Sequence, residues 1–220
     1  MLSFKKLTGS EKEGVKVISC DEKTGIQALE RIITPMRPGR CERQEHEYER
    51  HGTQCLIANF EVATGRIISP TIGQTRTEKD FAKHIKTTIG TASTAEWIFI
   101  VDNLNTHQSE SLVRLIALEC EIKEDLGQKG QKGVLKSMST RSSFLSDPSH
   151  RIRFIYTPKH ASWLNQVEIW FSILVKRLLK RLSVTSKKEL KHKISGFIDY
   201  FNATMAKVFK WTYKGKVLAS

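Results

Sequence analysis

The stretch WIFIVDNLNTH, residues 97–107, decides the fold prediction for this chain. Its first five residues are apolar, which is typical of a strand buried within a sheet. Asp102 follows directly, and ligands of open α/β sheets bind just outside the carboxyl ends of the strands. Asp102 is therefore a candidate site residue, and an aspartate that initiates a turn before Asn103 is an equally good interpretation.

The patterns on either side of this strand predict a mixed α/β domain. Apolar runs predict four more strands, at residues 15–20, 55–63, 65–70 and 152–156. Capping signals and apolar residues at helical spacing predict helices after Thr77, after Ser109, from about Ser162 to Leu182, and after Ser186. The resulting order, β-β-β-α-β-α-β-α-α, indicates a mixed sheet with helices on its faces.

Two polar segments do not fit this pattern. Residues 21–54 are rich in charged and turn residues and are predicted to form a long loop. Residues 125–150 are rich in glycine, serine and lysine, and we interpret them as an insertion on the surface. These features predict three parts: an N-terminal extension at 1–14, a domain at 15–210 that carries the insertion, and a C-terminal tail at 211–220.

The charge balance indicates the kind of partner. The 220 residues carry a formal net charge of +13, with a pI near 9.7, which favours a polyanion such as DNA as the partner. No apolar run is long enough for a membrane span, and the four cysteines form no CxxC pair. We therefore expect a cytoplasmic protein that contacts nucleic acid and no membrane.

Three acidic residues lie directly after predicted strands or within a predicted helix. Asp21 follows the first strand, Asp102 follows the fourth, and Glu168 lies within the apolar stretch HASWLNQVEIWFSIL, residues 160–174. On a helical wheel Glu168 falls at the margin of an apolar stripe, where it either turns toward the strand ends or pairs with a nearby lysine. Three converging carboxylates would repel one another unless Mg²⁺ or a similar cation compensated them. Two such ions serve phosphoryl transfer, so acids beside a basic surface favour a nuclease or a strand-transfer enzyme.

Four motifs carry a resemblance to a known family. DEKTGIQAL, VDNLNTH, YTPKHASWLNQVEIWFSIL and FNATMAKVFKWTYKGKVL resemble segments of bacterial insertion-sequence transposases of the DDE superfamily, in the mariner-related branch. The resemblance implies a ribonuclease H-like fold, a five-stranded mixed sheet of order 3-2-1-4-5 flanked by helices. It also implies that Asp21, Asp102 and Glu168 form the catalytic triad and bind two Mg²⁺ ions, with Mn²⁺ as an alternative.

The same resemblance implies cleavage of phosphodiester bonds at transposon ends, followed by attack of the 3′-hydroxyl on target DNA, typically at TA. It implies a homodimer on double-stranded DNA. The family's helix-turn-helix recognition region has no room before Val15, so we expect it to be encoded separately, or the chain to be a fragment or degenerate copy. A DNA-binding remnant without catalysis and a nuclease that does not join strands remain alternatives. Residues 102 and 168 lie farther apart than in the family, and we attribute the excess to the 125–150 segment.

Several basic side chains are predicted to contact DNA. Lys176, Arg177, Lys180 and Arg181 begin a run of basic residues that exceeds an ordinary solvated face. Lys159 and His160 precede the Glu168 helix, and His107 follows Asp102 by five residues; each is interpreted either as a phosphate contact or as a structural residue. A zinc site formed by Cys41, His46 and His51 is disfavoured, because a fourth ligand at standard spacing is missing.

Overall fold

The computed structural model of the chain describes residues 14–34, 43–158 and 164–209. It contains one five-stranded sheet of order β3-β2-β1-β4-β5. The first three strands are antiparallel neighbours, whereas β1, β4 and β5 run parallel. This topology confirms the predicted ribonuclease H-like arrangement. The strands are β1 Val15–Thr34, β2 Arg43–Glu61, β3 Arg66–Gly73, β4 Glu96–Val101 and β5 Ile152–Tyr156.

In the described part of the chain, five α-helices flank the sheet, and short 3-10 turns extend several of them. The helices are α1 Glu78–Ile89, α2 Glu110–Glu119, α3 Met138–Leu145, α4 Gln166–Arg177 and α5 Lys187–Thr204. The predicted capping box is present at α1, where Thr77 and Asp80 exchange hydrogen bonds between side chain and backbone. Within the described ranges, no helix combines the length and the apolar character needed to cross a membrane.

The two faces of the sheet carry two separate hydrophobic cores. On one face, which we call the first core, Ile18 and Cys20 of β1 and the stacked aromatic rings of Phe99 and Phe154 pack against α1, α2 and α3. On the other face, the second core, β1 and β2 pack against α4 and α5. Val167, Trp170 and Leu174, the predicted apolar stripe of α4, are fully buried there: each has 0% of its surface exposed.

The prediction of a loop at residues 21–54 is wrong. Most of this segment belongs to the paired strands β1 and β2, which extend as a two-stranded ribbon beyond the residues that pair with β3 and β4. The ribbon tolerates polar side chains for two reasons. The hydrogen bonds between its strands involve only backbone atoms, and its side chains at Tyr48 and Glu49 are exposed to solvent. As a consequence Asp21 lies inside β1 rather than after it.

A bulge in β1 changes which face of the sheet its side chains point to. Lys23 pairs with Leu56 and Ile26 pairs with Gln54, so β1 has one more residue than β2 in this interval. Gly25 supplies the positive φ of 65° that such a bulge commonly requires. Because one extra residue reverses the alternation of side chains, Cys20 faces the first core whereas Ile26 faces the second.

The interpretation of residues 125–150 as a surface insertion needs correction. This segment contains a 3-10 turn at Val134–Lys136 and helix α3, and the side chains of Leu135 and Leu145 are fully buried in the first core. Arg141 of α3 donates a hydrogen bond of 2.6 Å to the carbonyl oxygen of Gln108, in the turn that follows Asp102. The polar composition concealed these elements because serine and threonine also form the cap of α3.

Candidate active site

Two of the predicted acids follow the paired part of neighbouring parallel strands. Ser19 of β1 is in register with Ile100 of β4, and this is the last pair between the two strands. Asp21 and Asp102 each lie two residues beyond it, where the parallel pairing ends. Asp21 is buried, with 5% of its surface exposed, and Asp102 is partly buried.

The third acid, Glu168, lies in the first turn of α4 and is partly buried. Burial and, to a smaller extent, the negative charges of Asp102 and Glu168 raise the pKa of Asp21, the Glu22 backbone N–H and His107 oppose them, and the resulting pKa is about 7. The charges of both carboxylates act on Asp21, so the three predicted acids lie in one region of the structure, but in the described part of the chain their oxygen atoms do not all lie within 4.8 Å of one another.

Each of these carboxylates keeps an oxygen that the described residues leave unengaged. Oδ1 of Asp21 accepts a hydrogen bond from the backbone N–H of Glu22 at 2.7 Å. Oδ1 of Asp102 accepts one from the backbone N–H of Leu104 at 3.1 Å and lies 2.7 Å from Nδ1 of His107. The Oδ2 atoms and the Glu168 carboxylate have no hydrogen-bond partner among the described residues.

Comparison with known protein families identifies the family of this chain. The family model described as DDE superfamily endonuclease matches residues 16–191, most of the chain and all three acids. The chain belongs to this family. A comparison with curated protein sequences found no match.

Solved structures similar to this DDE endonuclease domain include complexes of Mos1. They include a pre-cleavage Mos1 transpososome (11% identity, TM-score 0.49), a Mos1 mariner paired end complex with Mn (13%, 0.33) and the Mos1 strand transfer complex (12%, 0.33). The alignments cover 88%, 88% and 94% of this chain but 57%, 56% and 58% of the Mos1 chains, so the chain spans little more than half their length. The fold assignment rests on the strand order and on the family match.

His107 is not on the DNA-facing surface that the sequence predicted. Its side chain is fully buried, with its ring 4.4 Å from the ring of Phe81, so contact with a DNA phosphate is excluded in this conformation. Although partial burial would raise the pKa of Asp102, the hydrogen bond and charge of His107 and the Leu104 N–H hold it below its ordinary value. In the structure His107 therefore contacts one carboxylate oxygen of Asp102.

Sequence reasoning missed a second buried acid beside this pair. The Glu22 side chain has no exposed surface, and its Oε2 accepts a hydrogen bond of 3.2 Å from Arg76. Its Oε1 lies 3.9 Å from Nε2 of His107, and neither atom has a hydrogen-bond partner among the described residues. Consecutive acids in one strand must face opposite sides of the sheet, and this rule could have assigned Glu22 to the first core.

The other predicted DNA contacts of the domain divide into two groups. Lys159 and His160 lie outside the described residues. Lys176, Arg177, Lys180 and Arg181 are exposed at the end of α4 and in the turn that follows it. No ion pair engages these four side chains within the described ranges, so their charge is available to a polyanion.

A separate group of potential metal ligands lies on the β1–β2 ribbon. Ligand atoms of Glu30, Glu49 and His51 lie within 4.8 Å of one another, and His51 Nε2 is 2.8 Å from Glu30 Oε2. The zinc site that the sequence disfavoured would have used His51 with Cys41, which lies outside the described residues, and with His46, whose side chain is not described. The ion pair with Glu30 accounts for the position of His51.

Proposed function

We propose that this DDE endonuclease domain is the catalytic domain of a transposase. It would cleave phosphodiester bonds at transposon ends and transfer the freed 3′-hydroxyl into target DNA. The observation that carries the proposal is the electrostatic proximity of Asp21, Asp102 and Glu168, since the charges of the other two act on buried Asp21. Membership of the DDE superfamily endonuclease family supports the same chemistry.

The donor set fits Mg²⁺ or Mn²⁺. Carboxylate oxygens are the ligands that these hard cations prefer. Burial is the main cause of the raised pKa of Asp21 and the charges of Asp102 and Glu168 add to it, and a divalent cation would relieve this repulsion. Asp21, Asp102 and Glu168 would therefore hold the ions. When bound, two such ions stabilise negative charge on the attacking and leaving oxygens of an in-line phosphoryl displacement.

The residues around the acids prepare this arrangement. His107 and the Leu104 N–H hold one oxygen of Asp102 and leave the other directed to a ligand. Asp21 is engaged through one oxygen in the same way. The protein itself supplies no covalent nucleophile in this mechanism, because water and then the DNA 3′-hydroxyl attack the phosphorus.

The test is a comparison of Asp102→Asn with Asp199→Asn, which removes an exposed carboxylate in α5. With Mg²⁺ and a duplex carrying a pre-cut transposon end, we expect the wild type and Asp199→Asn to produce joined DNA and Asp102→Asn to produce none. Cleavage and joining by Asp102→Asn at the wild-type rate would refute the proposal. Cleavage without joined product in the wild type would instead identify a nuclease that only hydrolyses, and absence of Mn²⁺ binding in calorimetry would identify a DNA-binding remnant.

We also propose that the basic residues after α4 bind the DNA backbone. Each phosphate contact contributes about 0.9 units to the slope of log K against log salt concentration. Changing Lys176, Arg177, Lys180 and Arg181 to glutamine should therefore flatten this slope by up to about four units. The matched control changes Lys79, Lys83 and Lys86, exposed lysines of α1 on the opposite face of the sheet. An equal loss of slope in both variants would assign the effect to net charge rather than to this surface.

A further inference from the structure

The N-terminus of α4, the helix that carries Glu168, is capped by another element. Asn165 occupies the N-cap position with an extended backbone, but its side chain makes no capping hydrogen bond to its own helix. The backbone N–H of Val167 donates instead to Oγ of Ser19 in β1, at 2.9 Å. A helix end usually satisfies these N–H groups with its own N-cap side chain, as Ser186 does at α5.

The Asn165 side chain completes a connection to the same strand. Its Nδ2 donates to the carbonyl oxygen of Cys20 at 3.0 Å, and its Oδ1 accepts the hydroxyl hydrogen of Ser19. Ser19 and Asn165 both have 0% of their surface exposed. Three buried hydrogen bonds therefore join two residues of β1 to the first turn of α4, in a site from which water is excluded.

These bonds lie directly beside two of the acids. Ser19 precedes Asp21 by two residues and so shares its face of the strand, and the Cys20 carbonyl belongs to the peptide that joins Cys20 to Asp21. On the helix side, Asn165 accepts through its backbone carbonyl a hydrogen bond of 3.0 Å from the N–H of Glu168. The connection therefore determines how far the backbone of Glu168 lies from that of Asp21.

We propose that Ser19 and Asn165 are positioning residues for metal binding: they hold Glu168 and Asp21 at the separation that a shared divalent site requires. The inference rests on the proposed function, in which both acids are metal ligands. Apolar contacts of Val167 and Trp170 attach α4 to the sheet, but packing alone does not fix the position of a helix end as closely as directional bonds do.

The test measures Mn²⁺ affinity by calorimetry on the full chain, with thermal unfolding measured in parallel. We expect Ser19→Ala to lower the affinity about 10–100-fold, as losses of groups that orient metal ligands do, and Ser19→Thr, which keeps the hydroxyl, to restore most of it. Ser186→Ala is the matched control, because it removes a serine N-cap from α5 and leaves the acids untouched. It should lower the unfolding temperature without changing the affinity.

A second variant keeps the inference testable if Ser19→Ala does not fold. Asn165→Ala removes the bonds to Ser19 and Cys20 but leaves Oγ of Ser19 free to cap Val167, and we expect a similar loss of affinity. Wild-type affinity in the folded variants would overturn the positioning role while leaving the proposed function intact. Failure of the wild type to bind Mn²⁺ would overturn the proposed function and this inference with it.

Discussion

Replacing Asp21 by asparagine should stabilise the metal-free protein while abolishing its chemistry. Burial and the charges of Asp102 and Glu168 raise the pKa of Asp21 from 3.8 to about 7. The folded state therefore keeps a proton that the unfolded state releases between these values, so ionising Asp21 lowers stability as the pH rises through this window. A shift of about three units corresponds to a destabilisation on the order of 4 kcal/mol above about pH 7.

Asparagine removes this penalty, although its buried amide reduces the gain. We expect Asp21→Asn to raise the free energy of unfolding by about 1–4 kcal/mol at about pH 8 and by roughly 2 kcal/mol less near pH 5.5. Urea denaturation at both pH values, with a chelator present, measures the difference. Mg²⁺ should then stabilise the wild type and leave the variant unchanged.

Asp199→Asn is the control, because its exposed carboxylate should show no such pH-dependent gain. An Asp21→Asn variant that is less stable than the wild type at both pH values would refute the reasoning. That result would mean that the carboxylate is stabilised in the folded state and that the repulsion among the three acids is negligible.

Three further predictions concern other buried groups. His107→Leu should weaken Mn²⁺ binding about 10–100-fold in calorimetry, and His107→Asn, which can still donate to Asp102, should weaken it less; equal losses would exclude an orienting bond. Burial lowers the pKa of His84 from 6.5 to about 3, so the unfolded state alone gains a proton as the pH falls below 6.5, and this group should lower stability by about 2 kcal/mol between pH 7 and pH 5. Because Asp21 contributes an opposite change of similar size, the test is the difference between variants: in urea denaturation His84→Gln should gain about 2 kcal/mol relative to the wild type as the pH falls from 7 to 5, and an unchanged difference would refute this role of His84. Leu145→Ala should cost about 2–5 kcal/mol in the same assay, against less than about 0.5 kcal/mol for exposed Leu118→Ala; similar costs would show that α3 is dispensable to the core.

The family resemblance implied the sheet order, whereas the strongly apolar central strands alone predicted only a mixed sheet with helices on its faces. The run at 97–101 is buried throughout in β4, and helices alternate with the later strands along the chain. The polar ribbon of β1 and β2 was missed because hydrophobic periodicity detects only strands that face a core. The bulge at Gly25 concealed the continuation of β1 as well, since it reverses the alternation between Cys20 and Ile26.

The candidate site could be predicted in part. Asp21, Asp102 and Glu168 were recognisable because each acid adjoins or interrupts an apolar element, and in the structure the charges of Asp102 and Glu168 act on Asp21. The residues that hold them were not recognisable, because hydrogen bonds such as those of Ser19 and Asn165 join positions 146 residues apart. Sequence spacing along one element contains no information about such pairs.

The alternation of side chains along β1 connects the acids to both faces of the sheet. Asp21 and Glu22 point to opposite faces. On one face His107 packs against Phe81 and contacts Asp102, and on the other face α4 packs against the sheet and carries Glu168. The positions of the acids therefore depend on the packing on both faces of the sheet. Harmful substitutions should be found deep in both hydrophobic cores, many residues away from any acid, because a small tilt of the helices on either face changes the distances between the acids.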